Sequence, residues 1–176
     1  MRTGHRRPSR SAFTLIEWAA VISILSIMAV AVGGPALSYI DSIRAQAAAA
    51  RVAGDIRYAQ KTALSSGLRT WVLFSTTDNS YRLYVEDAAN PGKANRRPAI
   101  NPLDHSTGVI QFGSGEFVNV SVLSVDIGRT SELEFDTFGV PYNGNGTALT
   151  ADGVIGLSGG VSVTIHPVGG LVERAG

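Results

Sequence analysis

Cysteine is absent from the 176 residues, which excludes a disulfide framework, a thiolate zinc site, an iron–sulfur cluster and a cysteine nucleophile. Charge is also scarce, at 16% of the chain against about a quarter in ordinary domains, so the apolar excess must be concentrated somewhere. The three histidines, His5, His105 and His166, stand far apart and form neither a metal set nor a catalytic triad. "GLSGG" at 156–160 has the outline of a Gly-x-Ser-x-Gly elbow but no helix after it, and "GSG" at 113–115 is a turn rather than a phosphate cradle. Asp136, Asn143, Asn145 and Asp152 place oxygens of the kind calcium favours in a glycine-rich stretch, although "NGNG" is equally explained by turns that need positive φ. No catalytic residue, cofactor or metal is assigned, and the chain reads as a non-enzyme.

Acid is missing from the first twelve residues, which hold Arg2, Arg6, Arg7 and Arg10. Without those four, the 15 basic residues become 11 against 14 acidic ones, a net charge of −3. A chain of that balance has no general basic footprint for nucleic acid. The basic cluster outside this leader is Lys93, Arg96 and Arg97, the candidate contacts for DNA phosphates; a solvated loop explains the same three charges.

The apolar excess lies in "WAAVISILSIMAVAVGGPALSYI", 23 uncharged residues from Trp18 to Ile40. As a helix rising about 1.5 Å per residue this covers the roughly 30 Å hydrocarbon core of a bilayer. With four arginines before it, the rule of positive charge inside keeps the N-terminus cytoplasmic. Taken alone, the segment fits a secretory signal cut after "AVA" at 29–31, an uncleaved anchor, or a twin-arginine signal at Arg6 and Arg7. None of these accounts for Glu17, a carboxylate at the edge of the run. A cut between Ala12 and Phe13 would account for it. The new amine at Phe13 would stand one turn from Glu17, and at about 4 Å in an effective dielectric of 20 the two attract by about 4 kcal/mol, enough to offset the roughly 2.5–3.5 kcal/mol that an acid costs within a span.

At these residues, "AFTLIEWAAVISILSIMAVAV", the chain resembles the processing segment of type IV pilins and type II secretion pseudopilins. The resemblance implies cleavage by a prepilin peptidase between Ala12 and Phe13, methylation of the Phe13 amine, and Glu17 as the acid that docks the subunit into a filament. Ala12 departs from the glycine usual before the cut, and Trp18 from the usual aliphatic residue. A looser resemblance in "LEFDTFGVPYNGNG" and "GVIGLSGGVSVTIHPVGGLV" points to the H-type minor pseudopilin and its FimT-like pilus relatives. It implies a bacterial, single-pass inner-membrane protein with a periplasmic head, whose partners are the peptidase, other pilin-like chains and the membrane, with secretion or pilus assembly and DNA uptake as the alternative settings.

"GGP" at 33–35 predicts a kink or a locally melted stretch. Beyond it Leu37, Ile40, Ala48, Val52, Ile56, Ala59 and Ala63 recur at helical spacing, with Asp41–Arg44 and Arg51–Asp55 placed on the solvated side. Gly67 is the stop. The period then changes to two in "RTWVLFST" and "SYRLYVED", a hairpin, and in "VIQF", "FVNVSVLSV", "ELEFD", "GVIGLS" and "VSVTIHP"; "AANPGKANRRPAINPLDHSTG", 88–108, reads as a long loop. The expected architecture is α+β and pilin-like: a cleaved leader at 1–12, a helix at 13–66 that spans the membrane at about 18–40, and an antiparallel β head at 67–176.

Overall fold

The computed structural model describes residues 14–100 and 109–176, with the backbone alone at 30–38. Helix α1 runs Leu15–Ser66. It is helical through Gly33, Gly34 and Pro35, so the locally melted stretch expected there is replaced by helical backbone. The chain divides into residues 1–39 and 40–176, and the core belongs to the second unit.

Helix α1 ends where the sequence says it must. Gly67 adopts φ +66°, and its amide donates to Ala63 O at 3.0 Å, a left-handed cap that glycine adopts without a Cβ penalty. Among the described residues ten strands follow: β1 Thr70–Ser75, β2 Ser80–Val85, β3 Arg97–Pro98, β4 Ile110–Gln111, β5 Val122–Asp126, β6 Glu132–Phe135, β7 Pro141–Asn143, β8 Gly153–Leu157, β9 Ser162–Ile165 and β10 Val172–Ala175. They form a six-stranded sheet ordered β3-β2-β1-β6-β7, with β4 also on β2, and a four-stranded sheet ordered β10-β9-β8-β5. All the pairings are antiparallel. The architecture is α+β, with the helix packed on antiparallel sheets.

Five positions of the predicted stripe, Ala48, Val52, Ile56, Ala59 and Ala63, are within the core, while Ile40 is exposed and the Leu37 side chain lies outside those described. Ala45, Ala49 and Ala53 join them. A helix face this rich in alanine lets strands approach closely, and Val72, Phe74, Tyr81, Leu133, Val163, Ile165 and Val172 fill the space. Thr70 Oγ1 donates to Ala59 O at 3.0 Å and so ties β1 to the helix. The Arg51–Asp55 pair corrects an expectation. Its spacing suits the solvated side, yet Asp55 is only 4% exposed, because Tyr81 reaches it from β2.

Three strands were not foreseen. The segment read as a loop at 88–108 contributes β3 and a turn of 3-10 helix at Lys93–Asn95. Pro141–Asn143 carries turn residues, yet pairs with β6, and the polar "VERA" pairs with β9. Each of the three stands at or near a sheet edge, where one-sided pairing tolerates proline and charge.

Candidate functional site

The site is built at the start of α1. Thr14 precedes the first helical residue and Glu17 lies in the first turn. Glu17 Oε2 accepts the Thr14 amide at 3.1 Å and the Thr14 hydroxyl at 3.2 Å, and the Glu17 amide donates to Thr14 Oγ1 at 3.4 Å. This reciprocal arrangement is a capping box, which satisfies amides that the first turn leaves without helical partners. The carboxylate also lies at the positive end of the helix dipole. The sequence contains the signal for it, Thr-x-x-Glu ahead of an apolar run, which the reading of Glu17 as a docking acid passed over. Ala12 and Phe13, the expected cleavage pair, lie outside the described residues, as do His5 and His105.

Apart from Glu17, the described start of the helix, residues 15–29, is apolar on every side. Leu15, Ile16, Trp18, Ile22, Leu25, Ile27 and Met28 are all more than half exposed. The two serines among them turn inward on their own helix, Ser23 Oγ to Ala19 O at 2.8 Å and Ser26 Oγ to Ile22 O at 2.7 Å, leaving little unsatisfied polarity on this surface. A helix apolar all round is suited to lipid or to other helices rather than to water. Among the described residues no helix is long and apolar enough to cross a membrane; of the 23-residue run, side chains are described at 18–29 and 39–40.

The members of the basic cluster are each drawn into ion pairs. Lys93 Nζ lies 2.9 Å from Glu132 Oε2, Arg96 pairs with the other oxygen of Glu132, and Arg97 pairs with Asp87. The Arg96 guanidinium also stacks 4.5 Å from the Tyr84 ring centroid and 5.9 Å from that of Trp71. On the other side Arg69 binds Glu86 at 2.7 Å and Glu134 at 3.5 Å and lies 5.6 Å from the Trp71 ring. The segment from 92 to 98 is thus a strap across Trp71, which is completely buried although strand alternation turns it away from the helix. Glu86 accepts the Gly92 amide at 2.9 Å, and Arg69 before all else holds its carboxyl below the usual range.

Three of the four side chains that suggested calcium, Asp136, Asn143 and Asp152, have other partners. Asp136 Oδ1 accepts the amides of Phe138 and Val140, and Asn143 Oδ1 those of Asn145 and Thr147. Asp152 faces His166, so His166 is not the isolated strand-end residue that its sequence position suggested. Among the described residues no three acids or histidines are placed to hold a metal ion. Ser158 of "GLSGG" accepts the Ser121 amide and donates to Asn119 O within a 3-10 turn, an arrangement that ties its hydroxyl to structure.

No curated protein and no solved structure matches this chain. Residues 7–33 match the family model described as the prokaryotic N-terminal methylation motif. The start of the helix, with Glu17 in its first turn, therefore carries a pilin-type signal, one that points to a structural subunit and implies prepilin peptidase processing and assembly with pilin-like chains.

Proposed function

We propose that the chain is a minor pseudopilin, a structural subunit of a type II secretion pseudopilus, cut between Ala12 and Phe13 and methylated at Phe13. The observation that carries this reading is the methylation motif at residues 7–33 leading into a helix whose described start is apolar on all sides. Before assembly the segment 18–40 sits in the inner membrane with the leader in the cytoplasm and the head outside. On assembly the same surface packs against other subunits, and Glu17 docks against a neighbour's terminal amine. A minor type IV pilin would share the motif and the helix. Its DNA-capturing form is disfavoured by the ion pairs that occupy Lys93, Arg96 and Arg97, because a phosphate would compete with the carboxylates already there.

Co-expression with a prepilin peptidase followed by mass spectrometry of the N-terminus tests the reading. The expected product begins with N-methylated Phe13, and an intact Met1 or a terminus at Val32 overturns it. For the DNA-binding form, charge reversal at Arg96 and Arg97 is expected to leave a mobility shift unchanged.

A further inference from the structure

His166 stands between two carboxylates supplied by different parts of the four-stranded sheet. Its Nδ1 lies 2.9 Å from Asp152 Oδ1 and its Nε2 lies 3.5 Å from Glu173 Oε2. The ladder explains the meeting. Gly153 is in register with Ile165, and Thr164 with Val154 and Glu173. Side chains alternate between sheet faces, so Asp152 before β8, His166 after β9 and Glu173 on β10 fall on one solvent-facing surface. Arg174, one position on, turns to the other face, where it lines a small hollow with Gln46 and Ala49. Asp152 and Glu173 are the charged groups in contact with the ring among the described residues.

A neutral imidazole has one N–H donor, and its second nitrogen is an acceptor; imidazolium has two donors. Two carboxylates facing the two nitrogens are both satisfied only by the charged form. The geometry points to a proton-operated clasp on the C-terminal strand: protonated His166 fastens β10 to the entrance of β8, and neutral His166 keeps Asp152 and lets Glu173 go. Asp152 is the partner retained because its contact is the shorter. Hydrogen bonding to Asp152 first, and then to Glu173, holds the His166 pKa above the ordinary value of 6.5. β10 is the strand this affects because it is an edge, ordered β10-β9-β8-β5. With Glu173 released, it is held by its ladder to β9 and by the Arg57 guanidinium, which donates to Val172 O at 2.6 Å.

The sign follows from the raised pKa. The fastening is complete below the unfolded-chain histidine value and is lost as pH rises through the higher value in the fold. The clasp does not depend on the chain's being a filament subunit, so its test is separate from that of the leader cleavage.

The test is amide hydrogen exchange of the full chain in detergent micelles, expressed as protection at each pH. Protection at Val172–Ala175 is expected to fall roughly two- to fivefold, the range an exposed ion pair carries, as pH rises through the His166 midpoint read by NMR from its ring proton. Glu173→Gln is expected to remove that step and to lower the midpoint while leaving the rest of the sheet protected. Protection of β10 that stays flat across the midpoint overturns the clasp, and so does a step that persists in Glu173→Gln or in His166→Gln.

Discussion

Tyr81 donates its phenolic hydrogen to Asp55 Oδ2 at 2.6 Å across the junction of α1 and β2, and neither residue has meaningful access to water. Arg51 Nε meets the same oxygen at 2.9 Å. A carboxylate taken out of water this completely must keep its partners, since an unsatisfied buried polar group costs about 1–3 kcal/mol and an unpaired buried charge more. Burial, more than the Asp55 charge, pushes the Tyr81 hydroxyl well above its ordinary pKa, so it stays a donor. Tyr81→Phe is therefore expected to lower stability by about 1–3 kcal/mol and Arg51→Met by more, measured as shifts in the denaturant midpoint. Equal midpoints for wild type and Tyr81→Phe would show that water replaces the phenol.

The strap over Trp71 predicts an acid limb. Glu86 accepts from the Arg69 guanidinium at 2.7 Å and from the Arg69 and Gly92 amides at 3.2 and 2.9 Å. Its carboxyl is held below the usual value of 4.5 chiefly by that guanidinium. A depressed carboxyl pKa contributes stability above the unfolded value and loses it as pH falls through the folded value. Glu86→Gln should thus be less stable than wild type at pH 7, with the two converging as pH falls below about 4. Thermal midpoints at a series of pH values check this, and a gap that stays constant down to pH 3 would assign the effect to lost packing instead.

Much of this arrangement was legible in the residues. The end of α1 at Gly67, five of the buried stripe positions, the hairpin at 70–85 and the motif around Glu17 all rest on local rules of period, capping and spacing. What escaped is what tertiary contact decides. Arg51 and Asp55 have the spacing of a solvated pair, and only the approach of Tyr81 makes Asp55 a core residue. Lys93, Arg96 and Arg97 look free in sequence because Glu132 and Asp87 reach them through sheet pairing. His166 looked solitary because its partners lie 14 residues before it and on the next strand. Thr14 is a different case, since its capping signal was local and complete.

Gly170 carries a steric prediction. It adopts φ +61°, and a Cβ there would stand 2.6 Å from Gln60 Nε2 and 3.0 Å from Phe135 Cε1. Gln60 is poorly able to give way because its amide donates to Gly139 O at 2.9 Å and to Gly169 O at 2.7 Å, fastening two turns to the helix. Gly170→Ala is expected to cost more than about 1 kcal/mol, the combined effect of a left-handed backbone and the displaced amide. Gly146, at φ +75° with open space around its Cβ position, isolates the backbone part, so Gly146→Ala should cost less in the same denaturation assay.

One substitution can separate the cap at Glu17 from its proposed docking. Its carboxylate closes the capping box with Thr14, and in the proposed filament its charge meets a neighbour's amine. Glutamine can close a capping box as glutamate does, but it carries no charge to attract an amine. Glu17→Gln should therefore keep the helix start and the Phe13 cleavage while losing assembly. Thr14→Ala should keep the charge and fray the first turn, at a cost of about 0.5–2 kcal/mol. Amide exchange at residues 14–18 reads the cap, and filament yield with partner pilins reads the docking. If Glu17→Gln assembles normally, docking does not use the charge of Glu17; if Thr14→Ala assembles as poorly as Glu17→Gln, docking requires the formed first turn as well as the charge.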